Sequence, residues 1–477
     1  MNAPRRTSVR PSPVSRWCGL TLAALALSSL PACGSEKAPV ASSSGAPVQG
    51  TSMLAPGTPG SASADAAGSA APAGSAAADA STSAPSDLNV LVLGIDALRA
   101  DHMEFSGHNP EVMPTINALE KKSVSFTKFH SLSSFTAQSL GGFLGCRYPS
   151  ELKRNGSFFA VYPEEEVLFP ELLQKAGVRT MSAHAHFYFQ KGRAGFDQGF
   201  DQYEIVPGIK KNNTTDESIT SPAHTEIILR HLADQANTKG RFFAFYHLLD
   251  AHDQYLSHPE GKSFGKGAKN MYDGELYFVD MHVKKILDYV DSQPWGKRTM
   301  VVITADHGEA FGEHKMYRHA FELWNNLTHV PLIVHAPGIK PRRIDEPRSA
   351  IDLCPTILEA FGVKPEPGFQ GKSLWPEMKG EKAEPRDVVT ELARDSNNDR
   401  RRTLLKGDWK IIELGNEGGF QLFNLREDPG ELNDLARKDK AKLGEMREAL
   451  KARSATIKDI CPKRTDGLKS KPKGAPC

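Results

Sequence analysis

With 59 Lys and Arg against 57 Asp and Glu over 477 residues, the chain has a net charge of only +2 and lacks the basic excess of a nucleic-acid-binding protein. Hydrophobic residues at 39% and charged residues at 24% are ordinary for a globular protein with a polar linker, and the length suits one large α/β domain with appendages. Short basic runs such as Arg400–Arg401–Arg402 fit a solvated face.

The first elements are not part of a fold. Arg5, Arg6, Arg10 and Arg16, with no acid among them, precede the apolar run WCGLTLAALALSSL at 17–30. That run is too short to span a bilayer comfortably and reads as a secretory signal. It ends in Leu30-Pro31-Ala32-Cys33, which resembles a bacterial lipobox, where the cysteine takes lipid and becomes the mature N-terminus. Ordinary signal cleavage nearby is the alternative. Residues 1–33 are therefore expected to export the chain to the bacterial cell envelope, as an outer-membrane lipoprotein or into the periplasm. Residues 34–86 are Ala, Ser, Gly and Pro with few charges and no apolar periodicity. Such a segment cannot bury enough surface to offset its ordering entropy, and reads as a disordered tether with a root-mean-square reach of roughly 40 Å.

From 87 to 375, strand-like and helix-like patterns alternate. LNVLVLGID (88–96) is a nearly continuous apolar run, as a parallel strand covered on both faces requires. A helix is expected at 113–123, with Pro114 in its first turn, followed by the strand VSFTKFH at 124–130. An amphipathic helix at 168–177, a buried strand at 241–250 and a long helix at 270–291 come next. The strands TMVVITAD (299–306) and VPLIVHAPG (330–338) and a helix at 351–363 complete the series. The alternation predicts an α/β fold on a mainly parallel sheet. From 376 to 477 the pattern changes: 403–414 and 420–425 read as two antiparallel strands and 438–454 as a charged helix, giving a small C-terminal subdomain. Cys146 and Cys354 are expected to be buried thiols, while Cys461 and Cys477 are close enough in sequence to close a loop.

Several chemistries are excluded by missing motifs: the folded region has no G-x-S-x-G elbow, P-loop, H-E-x-x-H, C-x-x-C or glycine-rich dinucleotide fingerprint. What recurs is an acid at a strand's C-terminal end: Asp96, Asp250 and Asp306. Ligands of open α/β sheets bind outside those ends, so the three acids can converge there. His307 adds a nitrogen to the set, which suits zinc or manganese better than calcium. Between Asp96 and the next long helix lies HSLSSFTAQSLGGFLGCRYPS (130–150), where hydroxyl side chains stand at an expected helix start. A hydroxyl there is usually a cap. Facing a bound cation and an anionic ester, it would also be a plausible nucleophile.

Taken in order, GIDALRADHM, the segment ending in RYPS, HLLDAHDQY, ITADHGEAFGEH, HVPLIVHAPG, DWKII and LFNLREDPGELNDLA resemble the sulfatase family of the alkaline-phosphatase superfamily. The resemblance runs from about residue 89 to 436. It implies a large α/β sandwich with its active site at the strand C-terminal ends and a smaller C-terminal antiparallel sheet. One motif departs. Sulfatases carry C-x-P-S-R or S-x-P-S-R, whose first residue becomes formylglycine; here Thr136-Ala137-Gln138-Ser139-Leu140 stands instead. Threonine cannot become formylglycine, and Thr136 resembles the nucleophile of phosphoethanolamine and phosphoglycerol transferases and related phosphodiesterases.

The resemblance then implies Asp96, Thr136, Asp306 and His307 as ligands of one divalent metal ion. It implies His252 and His319 as catalytic groups around the substrate oxyanion and leaving group, with His184, His186 and Asp250 beside the substrate. The expected function is metal-dependent hydrolysis of phosphate or phosphonate esters through Thr136. Alternatives are sulfuric ester hydrolysis, phosphoethanolamine- or phosphoglycerol-type transfer, and a binding lipoprotein without catalysis. The expected partners are an anionic ester substrate and, through lipid, a membrane. Mass spectrometry of the membrane-extracted protein is expected to find diacylated Cys33 as the first residue; an unmodified N-terminus beyond 33 would replace lipidation with simple signal cleavage.

Overall fold

The computed structural model describes residues 87–209, 219–415 and 418–462, all within one compact unit. The signal, the lipobox and the tether expected at 1–86 lie outside the described residues. Nine strands form the main sheet: β1 Asn89–Ile95, β2 Val124–His130, β3 Arg179–His184, β4 Gln202–Ile205, β5 Phe242–Leu248, β6 Thr299–Thr304, β7 His329–His335, β8 Arg342–Ile344 and β9 Arg348–Ser349. Their order is β4-β3-β5-β1-β6-β7-β2-β8, with β9 also on β2. The five strands from β4 to β6 are mutually parallel, and β7 runs antiparallel between β6 and β2. This is the α/β fold with a mostly parallel sheet that the alternating pattern predicts.

Burial explains the continuous apolar runs. Every residue of β1, β5 and β6 is buried, because helices cover both faces of the sheet. The long helix Ala268–Ser292 contacts both Pro114–Glu120 and Ser221–Ala233, and Thr136–Gly145, Phe169–Lys175 and Leu353–Ala360 form a second, mutually contacting group. The parallel arrangement has a functional consequence. It sets the C-terminal ends of β3, β5, β1 and β6 along one edge, where β1 and β5 are joined beyond the strands by a hydrogen bond from Asp96 N to Leu248 O of 2.8 Å.

The C-terminal region is a four-stranded antiparallel sheet of β10 Val388–Leu392, β11 Arg401–Lys406, β12 Trp409–Glu413 and β13 Phe420–Asn424, with the helix Lys440–Ser454 against it. The single strand expected at 403–414 is instead a hairpin. Gly407, at φ 60°, and Asp408 turn the chain between Lys406 and Trp409, which pair across it. Strand β10 was not anticipated. Its carboxylate Glu391 accepts from Arg402 Nε at 2.8 Å and from Ser150 N at 2.6 Å, and Arg402 also reaches Asp459. This buried ion network fastens the small sheet to the RYPS segment that follows the helix Thr136–Gly145.

The cysteine expectation is corrected. Cys146 and Cys354 form a disulfide, with Cα atoms 5.7 Å apart and a separation of 208 positions in sequence. Cys146 terminates the helix Thr136–Gly145 in the left-handed conformation, and Cys354 lies in the first turn of Leu353–Ala360. Two helix ends that meet only in the tertiary structure leave no spacing signal. The proposed Cys461–Cys477 loop involves Cys477, outside the described residues. Replacing Cys354 with Ser is expected to cost about 2–5 kcal/mol in a denaturant titration, since it frees a long loop in the unfolded chain; an unchanged midpoint would show that the bond is not formed in the native protein.

Candidate active site

The site starts with two carboxylates. Asp96 follows β1 and Asp306 follows β6, the neighbouring strand, and both are almost fully buried. The backbone between them is arranged to hold the second: Asp306 Oδ1 accepts from Ala97 N at 3.3 Å and His307 N at 3.0 Å. Ala97 itself is left-handed at φ 58°, a conformation that an alanine adopts only at some cost, and Tyr272 ties its carbonyl down at 2.8 Å.

Two imidazoles face the pair. His307 Nε2 lies 3.5 Å from Asp96 Oδ1 and 3.3 Å from Asp306 Oδ2. His247 Nε2 lies 3.7 Å from Asp96 Oδ2 and 3.4 Å from Asp306 Oδ2. These separations exceed the roughly 2.7–3.2 Å of a good hydrogen bond. They match the edge of about 3.3–3.5 Å between ligands of a tetrahedral ion with bonds near 2.0–2.2 Å. In agreement, His247 Nε2 and Asp306 Oδ2 are buried without a hydrogen-bond partner among the described residues. The donor set therefore fits a divalent metal ion. A second group, His102, His108 and Asp273, is also close enough to be considered. There, however, His102 Nδ1 and His108 Nε2 reach Asp273 Oδ1 at 2.8 and 3.1 Å, which are ordinary hydrogen bonds. That cluster is held by hydrogen bonds to one carboxylate oxygen rather than spaced around an ion.

His247 is the residue that sequence reasoning missed. It sits inside β5, in register with Gly94 of β1. A Cβ at Gly94 would lie 3.4 Å from the imidazole, in ordinary contact with the ring. The signal was available: a lone histidine in the apolar run FFAFYHLL, beside a strand with a glycine at the matching position.

Burial keeps the imidazoles of His307 and His319 neutral. It depresses His307, together with the neighbouring His319, to about 4, and depresses His319 itself to about 4. The His307 Nδ1 faces Gly308 O at 2.8 Å, which assigns the ring proton to that nitrogen and leaves Nε2 with its lone pair toward the site. Burial alone would raise Asp306, but His307 and His247 outweigh it and hold the carboxyl below its usual range.

Thr136 begins the helix Thr136–Gly145, and its Oγ1 is 3.0 Å from His307 Nε2. Its hydroxyl caps nothing; the helix has no side-chain cap. The helix is fixed instead by the residues that follow. Ser139 Oγ donates to Asp306 O at 2.5 Å, and Gln138 pairs with the backbone of Ala393 through both its amide nitrogen and its oxygen, at 2.7 and 2.8 Å. Tyr162 Oη donates to Ala137 O at 2.8 Å, in space that a side chain at Gly141 would fill.

A cleft of about 220 Å³ opens over Asp96 and Thr136, with His186, His252 and His319 in its wall. His319 stacks on His307 with ring centroids 4.2 Å apart and faces His252 edge-on at 5.0 Å. Its Nδ1 is 3.2 Å from the buried carboxylate of Glu309, which orients the ring. The loop that carries it holds four non-glycine residues at positive φ: His314, Lys315, Arg318 and Ala320. Such backbone costs about 1–3 kcal/mol per residue and persists only where surroundings enforce it. Here Arg318 pairs with Ala310 in both directions, and Ala320 N donates to Ser134 O at 2.9 Å.

Two expected substrate residues are placed elsewhere. Asp250 accepts from Thr220 N and Ser221 N, both at 2.7 Å, and so anchors the start of the helix Ser221–Ala233. His184 is fully buried, stacked on Phe189 at 4.4 Å and 3.0 Å from Ser182 Oγ, behind the cleft. Glu313 and His314, in the same motif as Asp306, are also structural: Glu313 pairs with Arg99 and His314 stacks on Trp324.

A sulfatase family model matches residues 88–363, and a model of the C-terminal region of N-sulphoglucosamine sulphohydrolase matches 312–459. A delta 4,5-hexuronate-2-O-sulfatase of Bacteroides thetaiotaomicron is 29% identical over 170 residues, 34% of this chain and 35% of that protein. The chain thus aligns with about a third of that relative's length. Among solved structures, a sulfatase candidate from Bacteroides thetaiotaomicron superposes with a TM-score of 0.67 at 18% identity, over 80% of this chain and 96% of the other. The phosphonate monoester hydrolase of Agrobacterium radiobacter gives 0.62 at 16%, over 78% and 96%. At these identities the structural likeness speaks for the fold alone.

The geometry yields a contrast. Purified His247→Ala and Asp306→Ala proteins are expected to lose bound metal while keeping their circular dichroism spectrum. Asp250→Ala should keep its metal and lose about 1–2 kcal/mol of stability, the usual cost of a lost helix cap. Full metal occupancy in His247→Ala would remove that residue from the ligand set.

Proposed function

The chain belongs to the sulfatase family, and we propose that it hydrolyses an anionic ester through attack by Thr136 Oγ1. The observation that carries this reading is the placement of that hydroxyl, 3.0 Å from His307, at the lip of the cleft and beside the carboxylate–imidazole cage. Asp96, His247, Asp306 and His307 would hold a divalent cation, which supplies a lowered hydroxyl pKa and stabilisation of developing oxygen charge. Two nitrogens among four donors favour zinc or manganese over calcium.

The chain's own groups divide the remaining work. Thr136 gives its hydroxyl proton to the neutral imidazoles of the cleft, and its Oγ1 displaces the leaving-group oxygen at phosphorus or sulfur and becomes esterified. His319, with its Nδ1 on Glu309, and His252 stand across the cleft where a proton can be passed to the departing oxygen. A water then attacks the threonine ester in line, gives its proton to the same imidazoles and regenerates the hydroxyl. The loop that carries His319 narrows the cleft around this exchange.

Two central atoms compete. The names of the curated relatives favour sulfate esters, against the sequence expectation of phosphorus. The nucleophile favours phosphorus: a formylglycine hydrate expels sulfate by collapsing to its aldehyde, whereas a threonine ester has no second oxygen on its carbon and needs displacement at the central atom. Solved structures of this fold include a 2-O GAG sulfatase and a phosphonate monoester hydrolase, so the fold serves either central atom and the assay decides between them. The exported, lipid-tethered location expected from residues 1–86 belongs to the same proposal, since it would set the site outside the inner membrane.

An ester panel on one metal-loaded preparation tests these points. Aryl phosphate mono- and diesters, a phosphonate ester and an aryl sulfate are to be compared, with a phosphorus ester expected to give the highest kcat/KM. Preference for the sulfate would assign the sulfuric-ester alternative. In either case Thr136→Ala should lose at least about a thousandfold in kcat, and Thr136→Ser should retain measurable turnover. Turnover that survives in Thr136→Ala would exclude threonine as the nucleophile.

A further inference from the structure

Between β5 and the long helix Ala268–Ser292 the chain runs through residues 249–267 in turns and bends, yet this stretch delivers His252 to the cleft. Irregular connections longer than about 12–15 residues are uncommon in compact domains, and keep one conformation only where their groups find partners. Here the partners come from one face of that helix. Tyr255 meets Tyr272 edge-on with ring centroids 5.6 Å apart. Glu275, three residues further along and buried, turns both carboxylate oxygens to the loop: one accepts from Leu256 N, and the other pairs with Nε2 of His258. Phe278, three residues on again, lies flat against the His258 ring at 3.7 Å and 8°. The loop is laid along the row Tyr272–Glu275–Phe278.

This clamp lies directly behind the catalytic imidazole. A cavity of about 10 Å³, little more than the room of one water molecule, is lined by Glu275, His258, Leu256, Asp250 and His252. On its other side His252 faces His319 edge-on at 5.0 Å and borders the cleft with Thr136. His252 N donates to Leu249 O at 2.8 Å and its Nδ1 lies 2.7 Å from Asp253 O, both within the loop. The place of the ring opposite Thr136 is therefore inherited from the way the loop is held. Two buried carboxylates bracket it: Asp250 ties the near side to the helix Ser221–Ala233, and Glu275 ties the far side. Burial penalises an acid at the second position, raising Glu275 to about 7 against the pull of His258. An apolar side chain of similar volume would fill the space without that penalty, so cohesion alone does not call for a carboxylate there.

We propose that Glu275 is a positioning residue for the ester hydrolysis: it clamps the loop through Leu256 N and His258 and so fixes the His252 imidazole opposite Thr136. The proposal rests on the hydrolase reading for what His252 does, whereas the clamp is a property of the loop and is readable without turnover. Its loss shifts the imidazole and spares the metal cage, since none of Asp96, His247, Asp306 and His307 belongs to this loop. A displacement of about 1 Å at a reacting group costs on the order of a hundredfold in rate. The effect therefore falls on kcat, and leaves metal content and KM nearly unchanged.

The test uses the full mature chain loaded with zinc. In the first arm, amide hydrogen exchange is followed in Glu275→Leu and in His258→Phe, which keeps a ring on Phe278. Peptides covering 250–258 are expected to exchange about tenfold faster in both variants, with β5 and the helix Ala268–Ser292 unchanged. In the second arm, kcat and KM are measured on the ester that the panel favours. Glu275→Leu is expected to lose about ten- to a hundredfold in kcat with KM within about twofold, and Glu275→Gln, whose amide oxygen still accepts from Leu256 N, to recover most of it. Added to His252→Ala, Glu275→Leu should cost little further, because the imidazole that it positions is gone. Unchanged exchange at 250–258, unchanged kcat, or a loss that persists in full on the His252→Ala background would overturn the proposal. If Glu275→Leu does not fold, His258→Phe carries the same two readouts. Faster exchange in the variants, with no ester turned over by the unaltered enzyme, would support the clamp and count against the hydrolase reading alone.

Discussion

The arrangement depends on burying two carboxylates side by side. Asp96 and Asp306 end adjacent parallel strands and offer oxygens within 4.8 Å of each other and of His247, out of contact with water. Like charges this close and this dry oppose ionisation unless positive charge lies between them. The protein supplies part of the compensation through the backbone N–H groups of Ala97 and His307, and arranges the imidazoles of His247 and His307 so that a cation can supply the rest. Strands β1, β5 and β6 must therefore be neighbours, with their C-terminal ends level, before any chemistry is possible.

The smaller sheet becomes part of the same machine through the nucleophile helix. Thr136 is held in place by Gln138 and Ser139 rather than by its own side chain. Gln138 is bonded to Ala393, which directly follows β10, and Ser139 is bonded to the backbone of Asp306. The other end of the helix is tied by the Cys146–Cys354 bond, and the segment just beyond it by Ser150 in the Glu391–Arg402–Asp459 network. A ten-residue helix with two internal glycines is a weak helix on propensity alone. It is retained because three separate parts of the chain hold it.

The loop at 310–321 shows the opposite economy. Its left-handed alanine, arginine and lysine make it locally unfavourable, and its side chains, His319, Arg318 and Phe321, all face the cleft. Local preference is overridden there in order to set an imidazole against Glu309 and a phenylalanine at the mouth. The same segment contains acids and a histidine that resemble further ligands in sequence but serve to brace it.

Sequence alone determined the strands that carry the site, because full burial on both faces demands unbroken apolar runs and the acids that end those runs are conspicuous. Asp96 and Asp306, with His307 beside the second, stood out for that reason, as did the mainly parallel sheet and the antiparallel C-terminal one, whereas Thr136 was singled out only through the resemblance to the sulfatase family. What only the tertiary structure decided was pairing between distant positions. His247 looked like one more core residue until β5 was seen in register with Gly94. Asp250 looked like a ligand until its oxygens were found on the N-terminus of Ser221–Ala233. Cys146 and Cys354 looked like independent thiols across 208 residues. Periodicity reports which way a side chain faces relative to its own strand or helix, whereas partnership depends on which strands become neighbours, and that is fixed only when the sheet closes its order.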